Sequence, residues 1–286
     1  MEWRGRRQST NIEDRRRMSG GARAGGIGGV GLLAVLAIGW FLGIDVTPLL
    51  NDPALTGGGQ IQGEPAELTD EDRAAGEFVA VTLGYTEDIW AREFRSQLGE
   101  AYSPVTLVLY KGITDSPCGD ASGATGPFYC PGDRKIYLDT AFFATMHEQL
   151  GAGGDFAMAY VVAHEVAHHV QDELGILGQA NQARAQVSEA EANEISVRVE
   201  LQADCLSGIW ARGVQDRLGA IQPGDFEEAL NAARQIGDDT LQRNAGRVPM
   251  PHTFTHGTSA QRQKWFARGL QSGQMADCDT FAAARL

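Results

Sequence analysis

His164-Glu165-Val166-Ala167-His168 places two imidazoles four residues apart, with a carboxylate directly after the first. Residues i and i+4 of a helix share a face, so His164 and His168 can grip one metal ion from adjacent turns. Glu165 lies about 100° around the axis from His164 and stays near enough to hold a water on that ion. This is the H-E-x-x-H geometry of zinc peptidases. The flanks predict the helix it needs. Asp155 reads as the N-cap, Phe156, Tyr160, Val161, Val162, Val166 and Val170 recur at helical spacing, and Gly175 reads as the stop. A segment this apolar is buried or half-buried. Imidazoles and carboxylates left unpaired there are costly, and a bound cation removes the cost. The competing reading is a chance match on a surface helix.

Zinc needs a third protein ligand and an open position for water. A third His six residues after the second is excluded, because position 174 is Leu174 and the bend position is Gln171 rather than Gly. The alternative is a Glu from a later helix. Ser196-Val197-Arg198-Val199-Glu200-Leu201-Gln202-Ala203-Asp204 provides one, 32 residues after His168. Glu200 can ligate the ion, and Asp204, at i+4, can accept the N–H of a ligating His and fix its tautomer. The helical neighbours of Glu200 include no base that would explain it as an ordinary ion pair. A solvated carboxylate is the bland alternative. His169 points to another face and reads as a supporting or surface residue. Glu189, Glu191 and Glu194 read as a solvated face.

Several segments together resemble the bacterial YpfJ-like family of predicted neutral zinc metallopeptidases. They are Trp3-Arg4-Gly5-Arg6-Arg7, Asn11-Ile12-Glu13-Asp14-Arg15-Arg16, Phe128-Tyr129-Cys130-Pro131, Ile136-Tyr137-Leu138-Asp139, Ala163 through Gln171, Glu200-Leu201-Gln202-Ala203-Asp204-Cys205 and His256-Gly257-Thr258-Ser259-Ala260-Gln261-Arg262. The resemblance covers nearly the whole chain. It implies a gluzincin-like, mainly helical zincin-like domain with Zn2+ on His164, His168 and Glu200, and Glu165 as general base. Related membrane-associated gluzincins carry a late His-containing segment like the one at His256. That residue is therefore a candidate donor to the reaction's oxyanion, with His252 the weaker alternative and loop packing the bland one. Arg262 can brace Asp204 or Glu200.

The chain has 286 residues and a formal net charge of −13. Residues 25–44 carry no charge and are mostly apolar, and twenty helical residues span about 30 Å, one hydrocarbon core. Seven Arg against three acids precede them. The positive-inside rule then keeps residues 1–24 cytoplasmic as an Arg-rich, disordered tail and exports the rest from the inner membrane. A cleaved signal peptide is the alternative. The tail carries +4, so −17 falls on the remainder. That charge, with no P-loop and no basic stripe, argues against a nucleic-acid partner. All four Cys follow residue 44. Cys118 with Cys130 can close a Gly-rich loop, and Cys205 with Cys278 can tie the C-terminal tail to the Glu200 helix, as an exported compartment permits. A free buried thiol at Cys205 is the alternative.

The expected organisation is a tail over 1–24, an anchor over 25–44, a Gly/Pro-bearing linker over 45–66 and one α+β metallopeptidase domain over 67–286. Helices are predicted over 69–83, 86–98, 140–149, 154–174, 183–212, 224–236 and 258–271, with Thr69 and Thr86 as N-caps. Val105 to Tyr110 reads as a strand, and Phe128-Tyr129-Cys130 with Lys135-Ile136-Tyr137-Leu138 as a hairpin turned by Pro131-Gly132-Asp133. The first hairpin strand is either a substrate-binding edge or an ordinary core strand. The reaction expected is hydrolysis of protein or peptide substrates. A non-catalytic zinc-stabilised binding or chaperone module is the competing class, and hydrolysis of a non-peptide amide is a third.

Overall fold

The computed structural model describes residues 1–17, 67–119, 121–122 and 126–286. The anchor and linker expected over 25–44 and 45–66 lie outside these residues. Among the described residues no helix is long and apolar enough to cross a membrane.

The architecture is α+β and mainly helical. Strand β1 is Ile12–Asp14, helix α1 Asp70–Glu93, and strands β2 Thr106–Tyr110, β3 Ile113–Thr114, β4 Ala121–Ser122, β5 Phe128–Cys130 and β6 Lys135–Asp139. Helices α2 Ala141–Glu148, α3 Asp155–Glu173, α4 Ile176–Arg184, α5 Glu189–Gly213, α6 Asp225–Gln235, α7 Asp238–Asn244 and α8 Ser259–Ser272 follow. The main sheet has the order β1-β2-β6-β5. β1 and β6 both run parallel to β2, while β5 pairs antiparallel with β6 in the predicted hairpin, Tyr129 opposite Ile136. This leaves β5 as the free edge nearest α3. One core, built on Trp90, Phe156, Tyr160, Trp210, Trp265 and Phe266, joins the helices to the sheet.

Three expected helix boundaries need correction. The predicted break near Thr86 does not occur: α1 runs unbroken from its Thr69 capping box, and Thr86 is a buried residue whose hydroxyl donates to Leu83 O. The helix predicted over 183–212 is two helices. Ser188 and Glu191 form a capping box that starts α5 afresh after α4 ends at Arg184. Asp155 is the first residue of α3, not its cap, and Gly154 holds that position.

The largest correction concerns the N-terminal tail. Residues 1–17 are not a separate disordered arm but part of the domain. Met1 and Trp3 are buried. The Met1 amine lies 3.0 Å from Asp225 Oδ1, and Trp3 Nε1 donates to Asp155 Oδ2 at 2.8 Å. Arg7 pairs with Glu87 and Asp88 on α1 at 3.0 and 2.8 Å. Two helical glycines explain how the arm lies so close to α1. A Cβ on Gly84 would sit 3.0 Å from Arg7 O, and one on Gly76 would sit 2.5 Å from the Arg16 guanidinium. Of the arginines read as a cytoplasmic charge cluster, Arg7 pairs with acids of α1, while Arg6, Arg15 and Arg16 pair within the arm, with Glu2, Glu13 and Asp14.

Candidate metal centre

The core places α3 and α5 side by side, and their facing sides carry the site. His164 Nε2 lies 3.0 Å from Glu200 Oε2, and His168 Nε2 lies 3.5 Å from Glu200 Oε1. The three ligand atoms all fall within 4.8 Å of one another. A tetrahedral zinc with bonds of about 2.0–2.2 Å holds its ligand atoms roughly 3.3 Å apart, and each imidazole lies near that spacing from a Glu200 oxygen, His164 from Oε2 and His168 from Oε1. Two neutral imidazole nitrogens and one carboxylate form a donor set suited to zinc, with a fourth position left for water. The sequence-predicted ligands are therefore together, and the residues present fit the ion.

The supporting groups fix how the ligands point. His168 Nδ1 meets Gln171 Oε1 at 2.8 Å, and Gln171 in turn donates to Val199 O and Gln202 Oε1. This sets the tautomer that leaves His168 Nε2 free to ligate. On the other ligand, His164 Nδ1 lies 3.0 Å from Asp204 Oδ1, although off the line of a well-formed hydrogen bond. Asp204 is fully buried and held by Arg262, whose Nε and Nη2 donate to it at 2.8 and 2.9 Å, and by the Tyr160 hydroxyl. Of the two partners the sequence offered Arg262, the structure selects Asp204.

The electrostatics favour a cation here. Burial opposes charge on His164, but hydrogen bonds and attraction from Asp204 and Glu200 outweigh it and drive its pKa up to about 10. Burial would raise Glu200, yet the two imidazoles hold it well below the usual carboxylate range. Glu165 is raised, chiefly by burial, with the Tyr129 main chain acting to lower it. A carboxylate pushed upward from its ordinary value is suited to taking and returning a proton. Tyr129 belongs to the free edge strand β5, so that edge runs beside the base. Tyr129 OH also donates to Asp172 at 2.9 Å, which ties β5 to the end of α3.

His256 lines the same cleft of about 620 Å³. Its Nδ1 lies 3.3 Å from Asp238 Oδ1, and Asp238 also accepts the main-chain amides of Thr255, His256 and Gly257. Burial pulls the imidazole down, but Asp238 and the charge of Glu200 leave it raised. His252 is exposed, its carbonyl accepts from Asn193, and it does not line the cleft. His169 is buried, with Nε2 2.7 Å from Ser103 O and its ring against Tyr102 and Tyr129. It braces the helix and is not a ligand. Sequence reasoning missed Gln171, Tyr160, Tyr129 and Asp238. Only Gln171, at i+3 from His168, carried a readable signal.

Both cysteine pairs are disulfides, Cys118–Cys130 and Cys205–Cys278. The second joins α5, one residue past Asp204, to the C-terminal segment.

Residues 1–281 match the family model described as "Putative neutral zinc metallopeptidase". The chain is 46% identical over 290 residues to the uncharacterized protein YpfJ of Escherichia coli K12, covering 98% of this chain and 99% of the relative. It is 45% identical over 195 residues to the uncharacterized protein Rv2575 of Mycobacterium tuberculosis H37Rv, covering 65% of each chain. No solved structure matches the chain.

Proposed function

Because this chain belongs to the neutral zinc metallopeptidase family, we propose that it is a zinc-dependent endopeptidase. The observation that carries the reading is the convergence of His164, His168 and Glu200 beside a buried, upward-shifted Glu165. When bound, zinc acidifies water and polarises a carbonyl. The remaining work falls to the chain. The cleft binds an extended peptide, with β5 as the adjoining edge. Glu165 takes a proton from the attacking water and passes it to the leaving amine. Asp204 and Gln171 hold the two ligand imidazoles in register. Asp238 accepts from His256 Nδ1 and favours the imidazolium form, in which Nε2 also carries an N–H for the carbonyl oxygen as negative charge builds there.

We place the catalytic domain in an exported, oxidising space, on the strength of two disulfides and no free cysteine among the described residues. Residues 25–44, an uncharged and mostly apolar run, are the segment through which the chain would meet a membrane.

The test pairs zinc content with casein cleavage. The zinc-loaded protein should cut casein and stop on chelation. Glu165→Gln should keep its zinc and lose at least about 100-fold in rate, because an amide cannot accept the proton. Cleavage by that variant at the wild-type rate removes Glu165 from the mechanism. Bound zinc with no cleavage by the wild type favours a binding module.

A further inference from the structure

Two arginines line the cleft, and they are not in the same state. Arg262 is spent on the buried Asp204. Arg184, the last residue of α4, has only neutral partners: Nη1 donates to Ser196 Oγ at 2.7 Å, and Nη2 donates to Asn181 Oδ1. Among the described residues no carboxylate forms an ion pair with it. A basic residue in the last turn of a helix has an ordinary explanation in the helix dipole. That explains the residue type but not a guanidinium pinned by two neutral groups on the wall of the cleft.

Its position relative to the metal ligands follows from Ser196. That residue precedes Glu200 by four positions on α5, one helical turn, or roughly 6 Å along the axis. The guanidinium is thus held about one turn from the third ligand. Of its five N–H donors two are used, leaving three for a carboxylate. An extended peptide covers about 3.3–3.6 Å per residue, so the 6 Å offset corresponds to about two residues. Acidic peptides gain little from the rest of this acidic chain, and an arginine on the cleft wall without a carboxylate partner would give them a specific foothold.

We propose that Arg184 is a specificity residue that binds a substrate carboxylate about two residues from the scissile bond. The inference rests on the peptidase reading. The carboxylate has two sources, an acidic side chain or the free C-terminus of the peptide.

Four synthetic hexapeptide pools separate them: one Asp at varied positions or its Asn counterpart, each as free acid or C-terminal amide. With zinc-loaded full-length protein, kcat and KM are measured on each pool. Wild type should favour the Asp pools if the side chain is read, or the free-acid pools if the terminus is read. In Arg184→Gln the carboxylate-to-amide selectivity should fall about tenfold, mostly through KM, as expected for loss of a charge-assisted hydrogen bond. Arg184→Lys should keep part of it. Selectivity unchanged in Arg184→Gln, or absent in wild type, overturns the proposal. If wild type cleaves no pool, the peptidase reading fails on its own. Equilibrium binding of the same pools to zinc-loaded Glu165→Gln, with and without Arg184→Gln, then reads the carboxylate preference directly. A preference that survives Arg184→Gln there also overturns it.

Discussion

His164 has a carboxylate on each side of its ring, Glu200 at Nε2 and Asp204 at Nδ1, both at 3.0 Å. In the metal-free protein this arrangement stores a proton in place of a cation. Its pKa rises from 6.5 to about 10, so the folded protein binds that proton more tightly than the unfolded chain. The resulting stabilisation is complete below about pH 6.5 and is lost as pH rises through about 10. Zinc competes with the same proton, so its affinity rises over the same window. Chelator-treated protein should therefore lose stability between pH 6.5 and 10 more steeply than zinc-loaded protein, and the gap in Tm should widen by several degrees. Thermal scans of both forms across that range check this. A gap that narrows with rising pH would mean that His164 does not face both carboxylates in solution. The ligands themselves were legible in the sequence because helical periodicity alone puts i and i+4 together. Gln171 was passed over although it stands at i+3 from His168, because a neutral amide carries no charge to single it out. Arg184 was invisible because its neutral partner Ser196 lies on a different helix.

At the scale of elements, the site depends on α5 keeping its depth and rotation against α3. Two devices fix them, both meeting α5 within one residue of each other: the Arg262–Asp204 pair from α8, and the Cys205–Cys278 disulfide. The disulfide closes a sequence separation of 73, against 12 for Cys118–Cys130. In the chain-entropy picture the longer loop is worth about 4 kcal/mol and the shorter about 3. Replacing Cys205 and Cys278 together by Ala should lower the unfolding free energy more than replacing Cys118 and Cys130. It should also weaken zinc binding, since the freed segment adjoins Asp204. Urea titrations of both double variants with zinc quantified give the comparison. Equal losses, with zinc binding intact, would show that α5 is held by packing alone. Element existence was mostly readable here, since the hairpin, the strand over 105–110 and the helices carrying His164 and Glu200 follow from period and turn chemistry. The errors came where tertiary contact overrode local signals. Gly84 reads as a breaker in isolation, but α1 continues through it because the N-terminal arm needs that space. The reverse error fell on residues 185–188, where the Ser188…Glu191 start signal was present and was overrun by a helical pattern on both sides.

For the whole molecule, the docked arm constrains how the chain can sit at a membrane. β1 pairs with β2 through Ile12, Glu13 and Asp14, and Trp3 reaches the first residue of the metal-binding helix. Residues 1–17 and 67–286 therefore occupy one compartment whenever the sheet is intact. Between them the sequence holds one uncharged run long enough to span, 25–44. A single crossing there would put the arm and the domain on opposite sides and strip the sheet of β1. The Arg excess before that run favours a cytoplasmic arm, whereas the disulfides favour an exported domain, and the observed pairing does not allow both. Burial of Met1 and Trp3, the pairing of β1 with β2 and the Arg7 pairs with Glu87 and Asp88 hold the arm on the domain. The arm and the domain should thus label from the same side. Gln8 and Ala284 are both exposed, so Gln8→Cys and Ala284→Cys, each treated with a membrane-impermeant maleimide in vesicles of known orientation, report the two segments separately. Labelling of both from one face agrees with a docked arm. Labelling from opposite faces would mean that β1 leaves the sheet in the membrane-bound protein, and that Trp3 does not support Asp155 there.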